Sequence, residues 1–187
     1  MSQVWTYIQS DYYRHTGKVL SPFNLFMKAM FECNYGFRYT FWLRLASKLN
    51  TCTIFRKISV LLLRYYSVKY GVYIPSCTKI GYGFYIGHAV GIVINGRTQI
   101  GNNVNIGQFL SIGSNKGTPA IIGDNVYIGP HVSIVEDVKI GNESCIGAGA
   151  VVIKDVPEGV TVVGCPAHII GENKHRNYVG KRWNIDR

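Results

Sequence analysis

The 187-residue chain is basic: 20 Lys and Arg stand against 10 Asp and Glu, for a formal net charge of +10. It is also 47% hydrophobic, enough for a packed core, so a disordered polyelectrolyte is excluded. Five scattered Cys without a CxxC pair argue for reduced thiols in a cytoplasmic protein, against a disulfide frame or a zinc site.

In the first 20 residues Trp5, Ile8 and Tyr12 follow helical spacing, which predicts a short helix ending near Gly17. Ser21-Pro22 reads as an N-cap with proline at the first helical position. The helix that follows has Phe23, Phe26, Met27, Met30 and Phe31 as its apolar side, and Asn34-Tyr35-Gly36 stops it. Another is predicted over roughly 38–49, with Phe41, Leu43, Leu45 and Leu49 on its apolar side. A last one starts after Thr51 or Thr53 and runs to about Lys69, closed by Gly71. Residues 1–71 therefore read as a small α-helical N-terminal domain of three or four helices.

From Val72 the helical spacing gives way to a period of six. Ile80-Gly81, Ile86-Gly87, Ile100-Gly101, Ile106-Gly107, Ile112-Gly113, Ile122-Gly123, Ile128-Gly129, Ile140-Gly141 and Ile146-Gly147 open successive units. Where the Gly is missing the aliphatic residue persists, at Ile74, Ile94, Ile134 and Val152. Six matches neither a helix nor an alternating strand. It fits a three-sided coil of short parallel strands, about 18 residues per turn, with turns stacked about 4.8 Å apart. The Ile and Val side chains fill the prism, and the Gly after each fits a tight corner. The expected fold is mainly β: a parallel β-helix over 72–165, preceded by the helical domain and followed by a basic tail over 166–187.

Two intervals break the period: eight residues from Ile86 to Ile94, and ten from Ile112 to Ile122. Extra residues in a solenoid bulge outward, often on a binding face. Ile86, Ile106, Ile128 and Ile146 are expected on one face of successive turns, which puts His88, Gln108, Pro130 and Ala148 in line two residues later. A surface His is more often a solvated bystander than a catalyst. The register break beside His88, and Gln108 stacked on it, single this one out.

With these units in view, Ile74–Ile170 resembles the hexapeptide-repeat acyltransferases, whose fold is the left-handed parallel β-helix. Lys79–Ile94 with its Gly87-His88-Ala89-Val90-Gly91, Asn103–Gln108, and Val163-Gly164-Cys165-Pro166-Ala167 resemble the serine acetyltransferase branch. The resemblance implies transfer of an acetyl group from acetyl-CoA to a hydroxyl, with His88 as the general base. It implies a backbone oxyanion or cofactor contact near Gly113. It also implies a homotrimer with active sites between subunits, the pantetheine arm lying against Gly129, Gly147 and Ala148. Lys116 and Lys154 are candidates for the cofactor phosphates, with an ordinary solvated charge an equal reading of both. Asp11 is placed like that branch's substrate-facing acid, and Gln108 joins it as a substrate contact.

The departures point to the acceptor. Tyr73 occupies the position aligned with the branch's His-orienting Asp, and Gly87 replaces the acid before the His. The insertion 114–120 carries neither the Arg nor the His that in the family hold an amino-acid carboxylate. On these grounds the chain looks closer to the acetyltransferases of bacterial capsule and exopolysaccharide synthesis, whose helical domain Tyr35–Trp42 also resembles. The expected acceptor is then a sugar hydroxyl on a polysaccharide precursor. Serine O-acetyltransferase is the alternative, and a non-catalytic trimeric scaffold is the alternative of another class.

Gamma-type carbonic anhydrases share the β-helix but need three converging imidazoles. Only His88 and His131 lie within the coils, read as on different faces, so no metal is expected. The positive charge implies an anionic partner. Its spread over the chain, without zinc-finger spacing or an RNP-like motif, argues against nucleic acid. Phe55-Arg56-Lys57 and Arg64-Tyr65-Tyr66 suit peripheral contact with the inner membrane surface, though helix and trimer packing is the favoured reading. No apolar run reaches the roughly 18 residues of a span, and no signal-peptide layout is present, so the expected location is the cytoplasm.

Overall fold

The computed structural model describes residues 3–49 and 53–184. Four helices come first: α1 (Gln3–Thr16), α2 (Pro22–Phe31), α3 (Tyr35–Lys48) and α4 (Ile54–Tyr70). Their ends follow the local signals. The Ser21 hydroxyl accepts the Asn24 N–H and the Thr53 hydroxyl that of Arg56, so each occupies the N-cap. Thr51, the other start considered for α4, lies outside the described residues. Gly71 closes α4 in the left-handed region at φ 64°, open to glycine at little cost.

Two helical expectations need correction. α2 ends at Phe31 with Glu32 as its C-cap, and Asn34, expected to stop it, starts α3 instead, because its side-chain oxygen accepts the Phe37 N–H at 2.9 Å; α3 therefore begins at Tyr35, three residues early. The expected apolar side of α2 is turned outward. Phe23, Phe26, Met27 and Phe31 are exposed, while Leu25 and Ala29 anchor the helix. On α4 likewise only Ser59, Leu63 and Tyr70 are buried.

The remainder is a parallel β-solenoid of about five turns. Its first sheet stacks β1 (Val72–Tyr73), β4 (Ile92–Ile94), β7 (Ser111–Ile112), β10 (Ser133–Ile134) and β13 (Val151–Val152). The second stacks β2 (Lys79–Ile80), β5 (Gln99–Ile100), β8 (Ile121–Ile122) and β11 (Lys139–Ile140). The third stacks β3 (Tyr85–Ile86), β6 (Asn105–Ile106), β9 (Tyr127–Ile128), β12 (Cys145–Ile146) and β14 (Val160–Val163), with β15 (His168–Glu172) added antiparallel. Ile86, Ile106, Ile128 and Ile146 pair in register up this sheet and are all buried. Each contributes about 1.5–3 kcal/mol by leaving water, so a register slip that turned the column outward would be prohibitive.

The glycines after each Ile serve a purpose different from the one expected. Left-handed φ falls elsewhere on the corners, at Asn103, Phe109, Asn125, His131, Asp137 and Glu143 among others. Gly107 and Gly129 instead permit close stacking: a Cβ on either would strike backbone atoms of the next turn, at 2.6 Å and 2.8 Å.

The helices are clamped onto the first turn by one buried cation. Arg44 donates to both Asp11 carboxylate oxygens, at 2.8 and 2.9 Å, and to the carbonyls of Ile80 and Gly81. The C-terminal segment straps the same side. Trp183 is buried with its N–H on the Asn103 side chain, Arg182 forks onto Glu143, and Arg14 reaches the Gly180 carbonyl.

Candidate active site

β3 ends with the buried Ile86 and the chain then turns out of the coil, leaving His88 exposed before Ala89 turns back in. The Val90 N–H closes on the His88 carbonyl at 2.9 Å, and the Phe109 N–H on the Val90 carbonyl at 3.0 Å. This tight turn absorbs the extra residues of the first register break and holds the imidazole on the corner. Among the described residues no hydrogen bond reaches that imidazole. Tyr73, at the position of the family's orienting acid, is exposed and pairs through its backbone with Val93 one turn on.

A cleft of about 670 Å³ lies in front of His88. Tyr85, Gly87 and Ala89 form its coil side; His15, Glu32, Asn34 and Tyr35 form its helical side. The start of α3 comes this close because of Gly36, where a Cβ would run into the Ile86 carbonyl oxygen. Glu32, the C-cap residue of α2, accepts from the Tyr12 hydroxyl at 3.4 Å and faces Lys28 at 3.8 Å. His15 lies against the Tyr85 ring, centroids 4.3 Å apart. Burial pushes its pKa down to about 3, helped by Arg14 and Lys181, so it is neutral at pH 7, and its buried Nε2 has no partner among the described residues. The cleft thus gathers an exposed imidazole, a carboxylate and a second imidazole held neutral. His15 and Glu32 were not singled out from the sequence: neither sits in the repeat, and only the packing of α1 and α2 brings them to His88.

The other expected site residues fall into two groups. Gln108, Gly129, Gly147 and Ala148 lie up the same corner as His88 on later turns. His131 also stands there, stacked on Phe109 at 4.7 Å, not on a separate face as its position in the sequence suggested. The Gly129 and Gly147 N–H groups are spent in the ladder, on Ile146 and Val162; Gly129 is buried and Gly147 partly exposed. Gly113, Lys116 and Lys154 lie at the opposite edge of the first sheet, after β7 and β13. The Gly113 N–H donates to the Ile134 carbonyl at 3.1 Å, so the expected oxyanion donor there is already committed.

That second corner is folded onto its own acid. One Glu136 carboxylate oxygen accepts the N–H groups of Asn115, Lys116 and Gly117 at 2.7–2.8 Å. Asp137 takes the Thr118 N–H and hydroxyl. Those backbone bonds hold the Glu136 carboxyl below the usual range, and the Thr118 contacts do the same for Asp137.

Asp11 also departs from expectation. It is fully buried, and Arg44 together with the Phe84 N–H occupies both its oxygens. Burial raises its pKa while Arg44 opposes that shift. Its place is at the joint between helices and coil, not in the cleft.

Residues 119–154 match the family described as bacterial transferase hexapeptide (six repeats). The serine acetyltransferase of Bacillus pumilus (strain SAFR-032) is 36% identical over 121 residues, covering 62% of this chain and 52% of the relative. The crystal structure of serine acetyltransferase from Brucella abortus strain S19 superposes with a TM-score of 0.71 at 30% identity, over 90% of this chain and 67% of the other; the same enzyme has been solved in complex with coenzyme A. The Neisseria gonorrhoeae serine acetyltransferase in complex with serine gives a TM-score of 0.75 at 28% identity, over 91% and 70%. The chain carries the hexapeptide repeat of these transferases and is similar to the serine acetyltransferases. It spans about half the length of the curated relatives it matches.

These relatives overturn the sugar acceptor. Curated sequences at 36–38% identity and the solved neighbours are consistently serine acetyltransferases. Within one subunit, the loop whose plainness argued against an amino acid lies at the far edge of the sheet from His88.

Proposed function

We propose that this chain is an acetyl-CoA-dependent O-acetyltransferase whose acceptor is the serine hydroxyl. The observation that carries the reading is the exposed His88 imidazole in a cleft shared with the Glu32 carboxylate, in a chain similar to serine acetyltransferases. The unprotonated imidazole accepts the hydroxyl proton as the serine oxygen attacks the thioester carbon. The C–S bond then breaks, the CoA sulfur leaves with that proton, and O-acetylserine and free CoA result. Glu32 offers the acceptor's ammonium an opposite charge, a contact that a neutral sugar cannot use.

The assembly in this reading is a homotrimer. Within one subunit the two groups of cofactor contacts stand on opposite edges of one sheet. Setting the His88 corner of one subunit against the Gly113 corner of its neighbour unites them. The pantetheine arm then lies along Gly129, Gly147 and Ala148, with Lys116 and Lys154 toward the cofactor phosphates and Gln108 beside the acceptor. Acetyl-CoA as donor assigns the reaction to the cytoplasm.

The test is release of CoA thiol from acetyl-CoA by the purified protein, with serine, simple sugars and nucleotide sugars compared as acceptors. Serine is expected to exceed every sugar by at least about a hundredfold in kcat/KM. Turnover of a sugar without turnover of serine, or no release with any acceptor, contradicts the proposal. Light scattering checks the assembly against three copies of 20.9 kDa.

A further inference from the structure

The helical layer carries a surface that acetyl transfer does not use. Along α4, Ile54, Ile58, Leu61, Tyr65 and Val68 recur at intervals of four and three, one stripe of the helix, and are 45–81% exposed. Phe55 beside the stripe is 71% exposed, and Phe23 on α2 is 70% exposed. The two helices flank a groove of about 720 Å³ with an almost wholly apolar lining: Trp5, Phe41 and Trp42 line it together with Phe23 and Phe26 of α2 and Phe55 and Ile58 of α4. Exposed apolar surface of this extent on one face marks an interaction site.

Charge selects the partner. Neither α2 nor α4 contains an acidic residue. Lys57 and Arg64 stand exposed beside the stripe, and the Lys69 ammonium lies 5.6 Å from the Tyr65 ring centroid within it. A second copy docking by the same stripe would bring these cations together, whereas phosphate head groups would neutralise them. An apolar stripe with a cationic margin on a helix that lies flat is the pattern of an interfacial helix. Among the described residues no helix is long and apolar enough to cross a membrane, so the contact is peripheral.

We infer that the α2–α4 face docks on an anionic phospholipid bilayer, with the α4 stripe at the acyl boundary and Lys57, Arg64 and Lys69 among the phosphates. The inference is independent of the acceptor, since it uses no residue of the His88 cleft.

Co-sedimentation with vesicles tests it, using phosphatidylcholine alone and phosphatidylcholine mixed with phosphatidylglycerol. The full chain is expected to bind the mixed vesicles at least about tenfold more tightly than the neutral ones. The double variant Leu61→Glu/Val68→Glu, at exposed positions, is expected to lose at least about tenfold of that binding. Lys57→Glu/Arg64→Glu is expected to lose the preference for anionic lipid. Unchanged melting midpoints and CoA release in both variants show that the fold is intact. Equal binding to both vesicle types, or full binding by the Leu61→Glu/Val68→Glu variant, overturns the inference. So does self-association that this variant abolishes without any binding of the wild type to vesicles, because the occupant is then a second copy.

Discussion

The two outer corners of the first sheet are built from the same repeat and each carries extra residues, yet they end in opposite states. At the Gly113 corner the insertion is closed onto the next turn, three N–H groups meeting one Glu136 oxygen. At the His88 corner the Val90 N–H closes the turn on the His88 carbonyl, but the imidazole is left open to a cleft. The difference comes from what packs beside each corner. Only His88 has the helical layer against it, and that layer supplies both the wall and the Glu32 carboxylate. An irregularity in a solenoid becomes a site when a second element leaves space in front of it.

The comparison predicts that the two corners respond differently to mutation. The largest effect belongs to the open one: His88→Ala is expected to lower kcat for CoA release about 10²–10⁴-fold with the assembly unchanged, as read by steady-state kinetics and light scattering. Next comes the clamp that holds the helices there. Arg44→Leu leaves Asp11 as a buried charge without its partner and is expected to cost about 3–5 kcal/mol in urea denaturation. Gly36→Ala forces α3 away from the Ile86 carbonyl. It is expected to cost about 1–3 kcal/mol by the same measurement and to lower kcat/KM through the widened cleft.

The smallest effect belongs to the closed corner. The folded pKa values of Glu136 and Asp137 are depressed, so their contribution is present above their unfolded values and is lost as pH falls through the folded ones. Amide protection at Asn115, Lys116 and Gly117 is therefore expected to hold at neutral pH and to be lost only in acid, below the ordinary carboxylate range. Glu136→Gln should loosen the loop already at neutral pH.

Much of the fold was legible because each signal was local or periodic. Ser21, Thr53 and Gly71 mark helix ends through bonds to their near neighbours. The six-residue period puts Ile86, Ile106, Ile128 and Ile146 on one face because each strand pairs with the one a turn away. What escaped was long-range. Asp11 looked like a substrate contact until Arg44, 33 residues on, proved to occupy it. The exposed apolar side of α2 could not be told from a buried one by spacing alone. Glu32 and His15 gained meaning only from the packing of α1 and α3 against β3, with α2 carried on those two helices. The acceptor was corrected by the relatives and not by the fold, since within one subunit the loop used to judge it lies away from His88.

The central claim is that chemistry takes place at the open corner. A crystal structure with CoA and serine tests it most directly. The account predicts the serine hydroxyl within about 2.6–3.2 Å of a His88 ring nitrogen and the serine ammonium toward Glu32. Serine and the CoA sulfur bound together at a site that does not touch His88 would contradict it.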